Sequence, residues 1–136
     1  MLVVDTNIWL AAADRRSDRH HDCVAVLASH AGRLAAPVPV IAETSWLILD
    51  RLGTDAHQQF LGLTGSRQLE PLDLESVDWA RSTELCDTYR DLHLDLMDAS
   101  LVAIAERLGL TTIATMNHRD FTVVRPAHCD AFELIP

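Results

Sequence analysis

Asp5, Glu43, Asp98, Asn117 and Asp120 are the residues of this 136-residue chain whose types and placement can do chemistry. Asp5 closes the apolar run Met1-Leu2-Val3-Val4, and Asn117 and Asp120 follow the β-branched run Thr111-Thr112-Ile113-Ala114. Glu43 and Asp98 each fall in the first turn of an expected helix. Carboxylates gathered within several ångströms cannot all stay ionised unless something offsets them. A hard divalent cation does so: Mg²⁺ takes oxygen ligands, accepts one or two carboxylates directly and keeps several waters. Such an ion lowers the pKa of a bound water and neutralises charge developing on a phosphate. Each residue also has a plainer meaning. An Asp at a strand end is a common turn residue, Glu43 suits a helix dipole, and Asp98 can be a dipole partner behind an Asp95 N-cap.

The elements that must position these groups follow from hydrophobic pattern. Continuous apolarity in residues 1–4 predicts a strand buried on both faces, as in a parallel sheet. A helix is expected from Asp22 to His30, stopping at Gly32, then a short extended piece from Leu34 to Pro37. The next helix runs from Val40 to Leu52 with Pro39 in its first turn, a stripe of Ile41, Trp46, Leu49 and Leu52, and Gly53 at its end. Ala56 to Leu63 reads as a short helix and Gln68 to Leu72 as a strand or extended connector. Ser76 to Arg90 reads as a helix burying Val77, Ala80, Leu85 and Tyr89. Leu96 to Leu108 is the clearest helix, preceded by Asp95 and closed by Gly109. Leu110 to Thr115 is a strand, Asn117 to Asp120 a polar turn, and Phe121 to Val124 a last strand before Pro126. Strands alternating with helices give an α/β class with a mostly parallel sheet, one domain over 1–136. In such sheets ligands bind beyond the carboxyl ends of the strands, where the five polar groups are placed to meet.

Composition narrows the chemistry. All eleven basic residues are arginine, against 20 acidic residues and a net charge of −9. Without lysine there is no Walker A phosphate loop, no pyridoxal Schiff base and no lysine general base. The negative balance argues against a broad non-specific nucleic-acid surface, while leaving room for a local arginine patch. Cys23, Cys86 and Cys129 are far apart and form no CxxC pair, so a cytoplasmic protein with reduced thiols is expected. No apolar run approaches the ~20 residues of a membrane span, and the N-terminus lacks signal-peptide order. His20-His21-Asp22-Cys23 looks like a metal tetrad, but adjacent helical residues face different ways.

Four segments then carry a resemblance to one family. Residues Met1 to Leu10 resemble the opening strand of the PIN-domain family, and Pro39-Val40-Ile41-Ala42-Glu43 its second acidic segment. Asp98-Ala99-Ser100-Leu101-Val102-Ala103-Ile104-Ala105-Glu106-Arg107-Leu108-Gly109 resembles the helix of its third acidic residue, and Ile113 to Phe121 its last active-site turn. The likeness runs from residue 1 to about 126, and the compact length is like that of the VapC branch, the toxins of type II toxin–antitoxin pairs. The resemblance implies a Mg²⁺- or Mn²⁺-dependent endoribonuclease, with Asp5 and Asp98 as direct ligands and Glu43 acting directly or through water. Asn117 stands where the family often has Asp; its carbonyl oxygen can coordinate without adding charge, and Asp120 can supply the charge instead. The implied reaction is hydrolysis of an RNA phosphodiester, an activated water oriented by Glu43 or Asp120 attacking phosphorus in line with the leaving oxygen. Thr6, Asn7 and Thr115 can orient the ligands, and Arg15, Arg16 and Arg119 can contact substrate phosphates. A homodimer and a VapB-type antitoxin partner are implied as well.

Two other readings stay open. A catalytically silent PIN-like module that binds RNA or protein is favoured by Asn117 in place of Asp. Asp5-Thr6-Asn7 also has a faint likeness to aspartate-nucleophile phosphatases of the haloacid dehalogenase type. Those need a second Asp where Asn7 stands and usually a lysine.

Overall fold

The computed structural model describes residues 1–136. Five strands, β1 (Leu2–Val4), β2 (Leu34–Pro37), β3 (Leu69–Leu72), β4 (Thr112–Ala114) and β5 (Glu133–Ile135), form one sheet in the order β3-β2-β1-β4-β5. Every pairing is parallel, with Val3 opposite Ala35 on one side and Ile113 on the other. Seven helices cover the sheet: α1 (Thr6–Ala13), α2 (His20–Ser29), α3 (Val38–Leu52), α4 (Thr54–Gly65), α5 (Ser76–Thr88), α6 (Leu96–Leu108) and α7 (His118–Phe121). The α/β class and the parallel sheet are therefore as the hydrophobic pattern requires. β1, at the centre of the sheet, is buried along its whole length.

Helix α6 is the core of the domain. Residues Ala99 through Ala105 are all buried, the pattern of a helix enclosed on every side. Asp95 caps its start by accepting the Asp98 N–H, and Gly109 ends it in the left-handed region at φ 66°. Its neighbour α5 turns a polar face inward. Asp78, which is fully buried, pairs with Arg107 at 2.9 Å, and Arg81 pairs with Glu106 at 2.8 Å. Burial of the Asp78 carboxylate is tolerable because a guanidinium and the Glu75 backbone N–H both reach it.

Several expectations need correction. Helix α1 lies directly behind β1, where the pattern announces no helix; the apolar run continues across the boundary, and only Asp5 marks the break by capping the helix. Helix α3 buries Val40, Thr44 and Ile48, so Trp46 is 63% exposed and Leu49 is exposed too. The buried stripe is thus rotated from Ile41-Trp46-Leu49-Leu52. Helix α5 likewise buries Asp78, Ser82 and Leu85 and exposes Val77 and Ala80. Asn117 to Asp120 is not a plain turn, because His118–Phe121 is helical with Asn117 as its cap. Phe121 to Val124 is not a strand. Phe121 and Val124 are buried while Thr122 and Val123 between them are exposed, the spacing of a helical turn rather than a pleat. The last strand is Glu133–Ile135, which adds to the far side of β4 with Ile113 opposite Leu134.

Candidate active site

Strand order reverses between β1 and β4, and the crevice beyond their carboxyl ends is the natural binding place of such a sheet. Asp5 follows β1 and Thr115 follows β4, so the topology alone brings them together. Asp5 is 5% exposed. Its Oδ1 accepts the Thr6 backbone N–H at 2.7 Å. Its Oδ2 accepts the Thr115 hydroxyl at 2.7 Å and the Asn7 amide at 2.6 Å. Asn7 is fixed in turn by accepting the Met116 N–H at 2.9 Å, and Thr115 Oγ1 accepts the Asn117 N–H at 3.0 Å. Thr6, at the start of α1, donates its hydroxyl to Glu43 Oε2 at 2.7 Å. Thr6, Asn7 and Thr115 therefore all orient site carboxylates.

Asp98 stands in the first turn of α6, half-buried. Its side chain has one partner, the Asn117 amide at 3.4 Å. The same Asn117 nitrogen donates to Asp120 Oδ2 at 3.0 Å, while its oxygen accepts the Asp120 N–H at 3.4 Å. In this arrangement the amide donors of Asn117 face the two carboxylates, and the oxygen that a cation would use caps α7 instead. Asp120 is nearly buried and receives Arg119 Nε on its other oxygen at 2.8 Å.

Electrostatics separates these acids. Burial is the main cause that pushes Asp98 up to about 7, followed by the charges of Asp5, Asp95, Asp120 and Glu43. Asp5 is pushed up to about 6, mainly by burial, against the hydrogen bonds from Thr115 and Thr6. Asp120 goes the other way, because the Arg119 guanidinium holds it below the usual carboxylate range. Asp95 is the site charge that the sequence reading assigns only a capping role. Its position three residues before Asp98 was the available signal, since i and i+3 share a helix face. No ion pair reaches Asp5, Glu43 or Asp98. They form a cluster of negative charge with no protein cation of its own.

The remaining candidates lie elsewhere. Arg16 is held by Asp14 at 3.1 Å, and Arg15 lines an apolar cavity of about 570 Å³ between α1, α2 and α4, walled by Trp9, Leu27 and Phe60. None of the site carboxylates lines that cavity. In the segment His20 to Cys23, Cys23 is buried with its thiol on Met116 Sδ, while His21 and Asp22 face outward. All three cysteines are free, and no helix is long and apolar enough to cross a membrane.

Comparison with known proteins agrees with the fold. The family model described as the PIN domain matches residues 2–125. Ribonuclease VapC26 of Mycobacterium tuberculosis is 27% identical over 135 residues, covering 99% of this chain and 100% of that protein. Among solved structures, M. tuberculosis VapC20, described as a sarcin-ricin loop cleaving toxin, superposes with a TM-score of 0.82 at 18% identity, covering 96% of this chain and 99% of that one. A toxin–antitoxin complex from Klebsiella pneumoniae gives a TM-score of 0.71 at 18% identity, covering 100% and 97%. VapBC2 from Rickettsia felis, bound to a DNA fragment from its promoter, gives 0.69 at 19% identity, covering 98% and 96%.

Proposed function

The chain belongs to the PIN-domain family, and from that footing we propose that it is a divalent-metal-dependent endoribonuclease, the toxin of a VapBC-type pair. The observation that carries the proposal is the group Asp5, Glu43 and Asp98, gathered at the sheet's switch point without a basic partner. The donor set fits Mg²⁺ or Mn²⁺. It is all oxygen, and burial, with neighbouring acids adding to it, opposes the ionisation of Asp5 and Asp98, which a bound cation would relieve. No three His, Cys, Asp or Glu side chains converge tightly enough to enclose an ion. The site therefore suits a cation that takes one or two carboxylates directly and keeps waters for the rest. Asp5 and Asp98 would hold it.

When bound, the cation supplies a water of lowered pKa and positive charge at the phosphate oxygens. The chain's residues do the rest. Thr115, Asn7 and the Thr6 N–H lock Asp5 in one orientation. Thr6 holds Glu43 by Oε2, which leaves Oε1 free to accept the proton of the attacking water. Asn117 ties Asp98 to Asp120 and so sets the position of the Asp98 carboxylate. The phosphatase reading loses ground, because Asn7 stands where that chemistry needs a second Asp and the chain has no lysine to meet the phosphate. A net charge of −9 and an uncompensated acidic cluster would weaken RNA binding without metal, though not abolish it, and attract a basic segment of an antitoxin. A homodimer and a cytoplasmic setting belong to the same reading, the latter supported by three free thiols.

The test is cleavage of total RNA by the purified protein, with new 5′ ends mapped by sequencing. Discrete ends in Mg²⁺ and none in excess chelator are expected; the same ends in chelator would sink the proposal. Thr115→Val offers a second check. The substitution nearly conserves shape at a fully buried position but deletes the bond to Asp5 and the acceptor for the Asn117 N–H. Mn²⁺ affinity should fall about tenfold, as for loss of a group that orients a metal ligand. Unchanged affinity by calorimetry would remove Asp5 from the ligand set.

A further inference from the structure

The cluster that would bind RNA is negative, so something in the chain must meet the phosphate. Five of the arginines, Arg16, Arg19, Arg81, Arg90 and Arg107, are tied to carboxylates outside the site. Arg119 is the one whose ion pair is with a site acid. The pair is lopsided: the Arg119 side chain is 82% exposed and that of Asp120 only 9%. It is also one-sided in its bonding. Nε donates to Asp120 Oδ1, but Asn117 occupies Oδ2, so the two-point grip usual between guanidinium and carboxylate does not form. The terminal nitrogens Nη1 and Nη2 have no partner within the chain. A buried carboxylate thus anchors an exposed guanidinium and leaves its two outer donors free. Through Asn117 the anchor is continuous with Asp98.

We propose that Arg119 is a substrate-binding residue that grips a phosphate of the RNA through Nη1 and Nη2, with Asp120 and Asn117 as its positioning residues. Paired donors of this kind match two non-bridging oxygens of one phosphate. In this role Asn117 is better than Asp. A carboxylate at 117 would repel Asp120 and add negative charge beside the phosphate, whereas the amide bridges both acids. The inference rests on the ribonuclease reading.

The test measures binding by fluorescence anisotropy of a labelled, unstructured RNA in excess chelator, where the ribonuclease reading allows no cleavage. Wild type, Arg119→Ala and Arg119→Lys are compared over a range of salt. Arg119→Ala should bind roughly tenfold more weakly, and its log–log salt slope should be shallower by about 0.7, the loss of one phosphate contact to a single strand. Arg119→Lys should restore the slope and part of the affinity, since it keeps the charge without the anchored fork. Equal binding by wild type and Arg119→Ala, including no binding by either, overturns the proposal. So does a loss in Arg119→Ala that Lys does not relieve, which would mark a merely structural ion pair. Cleavage by the wild type in Mg²⁺ is run in parallel. Its absence would overturn the ribonuclease reading itself, whereas cleavage alongside unchanged Arg119→Ala binding overturns only the role of Arg119.

Discussion

Asp98→Asn should abolish Mg²⁺-dependent RNA cleavage while leaving the protein folded, and at neutral pH more stable than the wild type without metal. The side chain of Asp98 makes one long hydrogen bond, to Asn117 at 3.4 Å, so little structure depends on its charge. Its ionised form is opposed by burial and by four neighbouring carboxylates. An amide of the same shape removes that repulsion. If the carboxylate holds the cation, its removal takes away the activated water and the charge on the phosphate together. A loss of about 10³-fold, or ~4 kcal/mol of transition-state stabilisation, is the expected scale. Single-turnover cleavage and thermal unfolding on the same preparation separate the possibilities. A variant that cleaves at wild-type rate contradicts the role of Asp98, and one that unfolds readily would make it a structural residue.

The metal-free wild type should lose stability as pH rises from about 4 to about 7. The sign follows from the two raised carboxyls. Unfolded, Asp5 and Asp98 release their protons near 3.8; folded, they keep them until about 6 and about 7. Across that window the native state binds more protons, so unfolding free energy decreases with pH, and above it these two groups add no further slope. The total is on the order of a few kcal/mol, because the two groups interact and Asp98 is only partly buried. Asp120 works in the opposite sense at lower pH. Its depressed carboxyl contributes stability above its unfolded value, lost as pH falls through the folded one. Urea midpoints measured from pH 4.5 to 8 in chelator should therefore decline in the wild type and decline less in Asp98→Asn. A rising wild-type curve would mean that the carboxylates are compensated in a way the structure does not contain.

How much of this the sequence reveals depends on the kind of signal. Strand β1 and helix α6 are legible because burial on all sides leaves unbroken apolar runs, and Asp95 and Gly109 mark the ends of α6. Asp5, Asp98 and Asn117 are legible as strand-end and helix-start residues that the sheet must gather at one edge, whereas Glu43 stands in the second turn of α3 rather than the first, because that helix already begins at Val38. The faces of α3 and α5 are not legible. Trp46 and Val77 look like core by hydropathy, yet those helices bury Thr44, Asp78 and Ser82 beside Val40, Ile48 and Leu85. Arg107 makes the difference for α5, and a partner 29 residues away leaves no local trace in the pattern. The bond network around Asp5 is equally non-local, since Thr115 reaches it across 110 positions. The pairing of β5 beside β4 depends on three residues beyond a loop, which hydrophobic periodicity cannot distinguish from a tail.

Calorimetric titration of Mn²⁺ into the wild type and Asp98→Asn at pH 7 bears most directly on whether these carboxylates hold a cation. The wild type should show saturable binding accompanied by proton release, because a carboxyl near its own pKa must ionise to become a ligand. Asp98→Asn should lose most of that affinity and the proton release with it. No wild-type binding, or binding that Asp98→Asn leaves unchanged, would contradict a metal-dependent site built on Asp5, Glu43 and Asp98.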